Sequence, residues 1–423
     1  MKNILILLTL ILSINIYADV DIVANQEALP LIGISYKANN LNKNFKKSLN
    51  FYLNMIQYFK VLPENLSKNI KDGEKIVDIK FSEWRDLKVE YLFKVTLKEE
   101  KNKLKVKVLI YSPIEEKKIW GKEYSDYKTN IHELAAFIAN DIYGFISGKK
   151  NGIFLTKISY AKKVRGKKQI FIMNIDESKK QPITKNRAIN MLPSWAGRHK
   201  ILFTSYLRGN TDLYMRNLST GKLLSISSRR GLNTGGVLSP DGKTIALTLS
   251  KDGNSEIYLI NSKTGKIVKR LTKNLALDTS PSWSPDGKQI AFVSNRGGNP
   301  HIYIMNSDGT EQKRITFQGN YNQTPKWSPK GDRILFTARD ERNKFDIFYI
   351  DLSDENKIVR LTQDNGNNEE PSWSPDGEFI VFLSTRSGRH QIYIMDKDGN
   401  KTIRVTHDKG RYYTPRWSPW RKK

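Results

Sequence analysis

The sequence predicts two parts: a small N-terminal α/β domain, then an all-β six-bladed β-propeller closed by pairing the C-terminal strand with the first blade. Three observations predict it. A motif recurs from about residue 150 with a period in the low forties, the segment before it does not repeat, and the last copy of the motif falls six residues short of the chain's end. At 423 residues the chain is too long for one ordinary core and comfortable for two.

Residues 1–18 stand apart. Lys2 gives a short positive start, residues 4–14 are almost wholly apolar, and Ile16-Tyr17-Ala18 ends on a small residue. That pattern reads as a secretory signal, too short and too weakly flanked for a membrane anchor. No Cys follows the apolar run, so lipid attachment at the cut is excluded, and no other segment reaches bilayer-spanning length. An exported mature protein beginning near Asp19, with no membrane span, is expected.

Residues 19–148 read as the small α/β domain. Residues 31–36 look like a strand, and 42–59 carry Phe45, Leu49, Tyr52, Leu53, Ile56 and Phe59 at helical spacing. Strand-like runs follow at 76–81, 91–97, 103–111 and 120–124. The strongest helix spans 130–145, with Asn130 and Glu133 as a capping box. Ile131, Leu134, Ala135, Ile138, Ile142 and Phe145 share one face, and Gly148 marks the end. His132, near its start, reads as a packing or capping residue.

Residues 149–423 form the repeats. Ser282-Trp283-Ser284-Pro285-Asp286-Gly287 and Ser372-Trp373-Ser374-Pro375-Asp376-Gly377 are the clearest copies. Looser ones lie around Trp195, Leu238, Trp327 and Trp417, giving steps of 43, 45, 44, 46 and 44 residues. In one unit, strands at 279–283, 290–294, 301–306 and 313–316 are separated by turns rich in Gly, Asn and Asp, with Ala291 and Val293 facing away from Phe292. Three strands (152–159, 169–175 and one near Ile183) precede Trp195, and only a short tail follows Trp417. The strand at 413–417 should therefore complete the first blade and remove the open edges. Each Trp is expected to pack between neighbouring blades. The Asp-Gly segments near Asp308 and Asp398 lack the carboxylates of a calcium loop and read as hairpin turns.

Composition narrows the chemistry. There is no Cys, which removes thiolate metal sites, cysteine nucleophiles and redox chemistry. Lys and Arg number 71 against 43 Asp and Glu, a net charge of +28, spread along the whole chain. With export, that reads as a solvated basic surface and not as a nucleic-acid site. The five histidines show no metal-ligand spacing, so no metal and no cofactor are expected.

The signal, the α/β domain ending in a helix and six repeats with W-S-P-D-G turns together resemble the TolB family, the periplasmic β-propeller component of the Tol–Pal envelope system. The run at 136–160, A-F-I-A-N-D-I-Y-G-F-I-S-G-K-K-N-G-I-F-L-T-K-I-S-Y, is similar to the family's junction between domains. The resemblance implies a monomeric periplasmic adaptor supporting outer-membrane integrity, cell division and protein transport. It implies a TolA-type inner-membrane partner at Asp19, Val20, Asp21, Ile22 and Val23, whose alternation suits strand addition. It implies a Pal-type peptidoglycan-associated lipoprotein at the loops entering the innermost strands: Asn233, Thr234, Asp278, Thr279, Asn322, Gln323, Asn368, Glu369, Arg411 and Tyr412. Two copies depart from the pattern, with Leu238 in place of Trp after Gly235-Gly236, and Gly197 in place of the turn Pro. A cation in the axial channel, which the resemblance allows, is less easily assumed for this basic chain.

Other propeller functions compete. Propeller-containing peptidases need a hydrolase domain with a G-x-S-x-G elbow, a motif this sequence does not offer, so at most a non-catalytic relative is expected. A propeller binding peptidoglycan or other envelope sugars would use exposed aromatics such as Tyr321, Tyr412 and Tyr413.

Overall fold

The structure is a computed structural model and describes residues 29–38, 42–73, 75–149, 152–363 and 365–420. The expected signal and the five expected TolA-type residues lie outside the described residues.

In the first part, Leu31–Ala38 forms the parallel partner of both Lys60–Val61 and Tyr91–Glu100, and the antiparallel strands Lys103–Ser112 and Lys117–Tyr127 complete a five-stranded sheet. The helices Lys43–Met55 and Ile131–Ser147 pack on it. Alternation sets the sheet's inner face: Leu104, Val106, Val108 and Ile110 are buried while Lys103, Lys105 and Lys107 are exposed. Asn42 caps the first helix by accepting from the Phe45 amide. Gly148 ends the second long helix at φ +69°, a left-handed stop that glycine supplies without penalty.

Three local expectations fail here. Residues 76–81 are not a strand: Ile76–Asp78 is a short 3-10 turn and Phe81 starts the helix Phe81–Asp86, which buries Phe81 and Trp84. β-branched residues supplied the strand signal, and Asp72 overrides it by accepting from the Lys80 amide and the Trp84 indole. The capping box at Asn130 does not form, because a 3-10 turn at Lys128–Asn130 precedes the helix and the Asn130 amide donates to Asp126. Phe145 stands 45% exposed on the edge of the helix and packs against Trp120.

The second part is a ring of six four-stranded antiparallel sheets. Numbered around the ring, the innermost strands are Tyr412–Trp417 (blade 1), Asn190–Trp195, Asn233–Leu238, Asp278–Trp283, Asn322–Trp327 and Asn368–Trp373 (blade 6). Blade 1 takes its innermost strand from the C-terminal end, where Tyr412 pairs with Lys162 and Trp417 with Ile158. Its other strands are Lys157–Val164, Lys167–Asn174 and Gln181–Pro182. As expected, Ala291 and Val293 enter one apolar cluster and Phe292 the other.

The Trp side chains lie between blades. Trp283 packs with Ala246 and Ile257 of blade 3, and Trp373 packs with Leu335 and Ile347 of blade 5. Their indole N–H groups donate backward across the seam, Trp283 to the Val237 carbonyl and Trp373 to that of Lys326. Gly236 replaces the Pro of other blades because a Cβ there would lie 2.6 Å from Leu213. The turn after the inner strand is self-bonded: in blade 4, Ser284 Oγ donates to Asp286 at 2.6 Å, and Asp286 accepts from the Lys288 amide.

The two parts share one core. Tyr52 and Tyr143 close on Phe154, with ring centroids 5.4 and 5.9 Å away, and the cluster runs on through Tyr160, Phe379 and Trp417. The helical part therefore sits over the inner-strand turns of blades 6 and 1, and the inner strands begin at the opposite end of the ring.

Candidate functional site

Each inner strand has the same six-position plan, and the channel is built from it. Position one is buried in every blade: Asn190, Asn233, Asp278, Asn322, Asn368 and Tyr412 are 0–2% exposed. Position three is left-handed in every blade, at Leu192, Gly235, Ser280, Thr324, Glu370 and Thr414, with φ between 46° and 66°. Pairing with the second strand slips at that place, so each strand bulges there. A non-glycine residue in this conformation costs about 1 kcal/mol. Five of the six accept that strain, so the bulge is part of how the ring forms its bore.

The expected Pal-type residues divide by this plan. Asn233, Asp278, Asn322, Asn368 and Tyr412 are buried links between blades. The Asn233 amide donates to the carbonyls of Thr211, Arg229 and Gly231, and Asn368 donates to Asp346 of blade 5 at 2.8 Å. Tyr412, fully buried, donates to Asp408, which removes it from any sugar-stacking surface. Thr234, Thr279, Gln323 and Glu369 occupy position two and are partly exposed, and Arg411 is exposed. In blade 1 the register makes Tyr413, not Tyr412, the counterpart of Glu369, since Tyr413 pairs with Ala161 as Glu369 pairs with Leu383.

Deeper in the bore the charges are uneven. Position five is Ser194, Val237, Ser282, Lys326, Ser372 and Arg416. The two serines of blades 4 and 6 accept from the amides of Trp327 and Trp417. Arg416 binds Glu370 at 2.6 Å, whereas the Lys326 amine has no hydrogen-bond partner among the described residues. Enclosure by the ring, reinforced by Arg416, pushes the Lys326 amine down to about 7. Burial and the adjacent Glu370 push the Glu369 carboxyl up. Two cations on the wall disfavour a bound cation at this level. Among the described residues no cluster of three His, Asp or Glu is placed to hold a metal.

A Ser–His–Asp group lies at the junction of the two parts. Ser48 Oγ lies 2.7 Å from His132 Nδ1 and donates to Asp176 at 2.5 Å, while the same Nδ1 lies 3.1 Å from Asp176. Acyl-transfer chemistry needs opposite ring nitrogens facing the nucleophile and the carboxylate. Here one nitrogen faces both, and Ser48 is 2% exposed. Burial alone would raise the Asp176 carboxyl, but hydrogen bonds from His132, Ser178 and Ser48 hold it below the usual range. The group works as a staple between helix and blade. Glu378 does likewise: burial would raise it, yet Lys149 and Lys330, at 2.8 and 2.9 Å, bring it down to about 2.

A second repeat escaped sequence reading. Arg270-Leu271-Thr272, Arg314-Ile315-Thr316, Arg360-Leu361-Thr362 and Arg404-Val405-Thr406 each close a blade's outer edge. The Thr hydroxyl accepts from the third strand's amide and the Arg Nε donates to the Thr carbonyl. The R-[LIV]-T spacing was there to find, at the same period as the Trp.

Residues 143–356 and 341–423 match the family described as TolB beta propeller domain. The chain belongs to the TolB β-propeller family. Among curated relatives, the Tol-Pal system protein TolB of Desulfosudis oleivorans is 33% identical over 52% of this chain and 51% of its own length. That of Anaeromyxobacter dehalogenans strain 2CP-C is 37% identical over 52% and 50%. The chain thus spans about half the length of the curated TolB relatives it matches. A crystal structure of TolB from Acinetobacter baumannii superposes with a TM-score of 0.81 at 26% identity, covering 93% of this chain and 98% of that one. The TolB likeness therefore extends to the α/β part as well as the ring. Among the described residues no helix is long and apolar enough to cross a membrane.

Proposed function

We propose that this chain is a periplasmic, non-catalytic adaptor of the Tol–Pal system, divided near residue 148 into an α/β domain and a protein-binding propeller. In this reading a Pal-type lipoprotein docks on one end of the ring, and residues 19–29 engage a TolA-type inner-membrane protein, so that the pair supports outer-membrane integrity and division. The observation that carries it is the end of the ring away from the helical domain, where the inner strands begin and Thr234, Thr279, Gln323, Glu369 and Tyr413 are partly exposed. Membership of the TolB family and the naming of relatives as Tol-Pal system proteins support the same reading.

The test is a pull-down from detergent-solubilised envelope with the mature chain as bait. A lipoprotein carrying a peptidoglycan-binding domain should be retained, and Thr279→Arg combined with Gln323→Arg should abolish its retention while the fold persists. Deleting residues 19–29 should remove the inner-membrane partner and leave the lipoprotein. Recovery of peptidoglycan fragments alone, or hydrolysis of peptide esters, would overturn the proposal.

A further inference from the structure

Blade 5 differs from its neighbours at the loop joining its second and third strands. In blade 4, Arg296 at this loop lies 5.5 Å from the Phe292 ring centre and 5.0 Å from that of Tyr303. Its Nε donates to Ser294 Oγ, and its terminal nitrogen donates to Asp278 at 2.9 Å. Blade 6 repeats this with Arg386 over Phe382 and Tyr393, bonded to Ser384 and to Asn368 Oδ1 at 3.0 Å. Blade 3 places Lys251 over Tyr258 at 5.5 Å. A cation resting on the aromatic side chains between strands two and three is thus a recurring internal filler.

Counting along blade 5 from its second strand, Ala338 stands for the Ser and Asp340 for the Arg. Asp340 turns back into its own loop, accepting from the Arg342 and Lys344 amides and from the Arg342 and Arg360 side chains. The aromatic pair remains, Phe336 stacked on Phe348 with centroids 5.6 Å apart. The outer-edge Arg360 lies 5.6 Å from the Phe348 ring centre, as Arg270 lies 5.8 Å from Tyr258 beside Lys251 in blade 3, and Phe348 is partly exposed where Tyr303 and Tyr393 are buried. The acceptor also remains. Asn322 sends its amide nitrogen to His301 and the Gln318 carbonyl, and its Oδ1, the counterpart of the Arg-binding atoms in blades 4 and 6, takes no donor among the described residues. A cavity of about 440 Å³ lies over these groups, with Asn322, Phe336, Phe348, Arg339 and Arg360 among its lining and Glu341, 77% exposed and 3.9 Å from Arg342, at its rim. The Arg339 guanidinium is taken up by the Tyr321 and Phe345 rings.

We propose that this cavity is a binding site for an arginine side chain presented by a partner protein, which completes blade 5 as Arg296 and Arg386 complete blades 4 and 6. The guanidinium lies over the Phe336–Phe348 pair, donates to Asn322 Oδ1 and faces the Glu341 carboxylate. A planar, delocalised cation that can stack and donate at once suits this site, because the ring's own filler does both in the neighbouring blades. The proposal rests on the reading of the ring as a protein-binding propeller, and names one contact of the ring.

The test uses the full mature chain and acetyl-arginine-amide, followed by ligand-observed NMR. Saturable binding is expected, and the uncharged isostere acetyl-citrulline-amide should bind at least about tenfold more weakly. Ala338→Ser with Asp340→Arg restores the internal filler and should abolish binding, with thermal stability equal to or above the parent. Should that double variant fail to fold, Glu341→Ala, at an exposed side chain, decides the matter by weakening binding several-fold. No saturable binding to the parent, equal binding of the citrulline amide, or full binding by the refilled variant would each overturn the proposal. The free amide needs no partner, so its failure is distinct from failure of the envelope pull-down.

Discussion

Under the helical domain and along the bore of the same ring, charge is handled in different ways. Under the helical domain, Glu378 is held by Lys149 and Lys330, and Asp176 by Ser48, His132 and Ser178, while burial raises the neighbouring Asp376, one of whose oxygens has no donor among the described residues. Along the bore, Arg416 binds Glu370, Lys326 has no hydrogen-bond partner among the described residues and feels only the field of Glu370, and Glu369 sits beside a second carboxylate. The ion pairs under the helical domain are thus made within this chain, whereas the bore keeps an amine and a carboxyl without hydrogen-bond partners among the described residues, groups that a partner entering the bore would meet.

The comparison can be broken or sharpened by substitution. The largest effect is expected under the helical domain, where Trp417 is 6% exposed and donates to Thr156. Trp417→Ala should cost on the order of 3–5 kcal/mol in urea unfolding. Trp283→Ala, at a partly exposed seam, should cost less, and equal losses would mean the closing seam is nothing special. Next comes Lys326→Met in the bore. The Lys326 amine is depressed below its unfolded value, so its burden is full below about pH 7 and fades as pH rises toward the unfolded lysine value. The variant should gain roughly 2 kcal/mol at pH 6, and less as pH climbs toward 10.

Glu378→Gln should lose about 1 kcal/mol at pH 7, a figure lowered by the partial exposure of its lysine partners. Glu378 is depressed, so its contribution is present above the ordinary glutamate range and disappears as pH falls toward 2. Parent and variant should therefore converge in acid melts. The smallest effects concern the left-handed ring. Ser280→Gly should gain about 0.5–1 kcal/mol, and Gly235→Ala, where a Cβ meets nothing within 4 Å, should lose about as much. Opposite signs at equivalent positions would isolate backbone strain from packing.

The ring, its blade count and its closure were legible because Trp and Pro-Asp-Gly recur at one period, and because strands had to be found for the first blade. Site residues were half legible. The sequence located the loops entering the bore, but position one looks as polar and loop-like as position two, and only burial separates Asn368, bonded to Asp346, from Glu369, facing the channel. The off-by-one choice in blade 1 has the same origin, since Arg411, Tyr412 and Tyr413 carry no alternation to fix register. Residues 76–81 misled because β-branched side chains argued for a strand, while the hydrogen bonds to Asp72 that decide the matter are tertiary. The Asp340 substitution was visible in the letters, but its meaning needed Arg296 and Arg386 seen on their rings.

Closure of blade 1 has a consequence for how the molecule is made. The Trp417–Thr156 bond joins residues 261 positions apart, so this sheet is the least local in the ring. Forming so wide a loop costs only a few kcal/mol, but contacts of that separation form slowly. Until they do, Lys157–Val164 offers an unpaired edge to whatever strand arrives first, including the same strand of a second molecule. Refolding yield should therefore fall with protein concentration, and the vulnerable species should be an open arc waiting for its own tail.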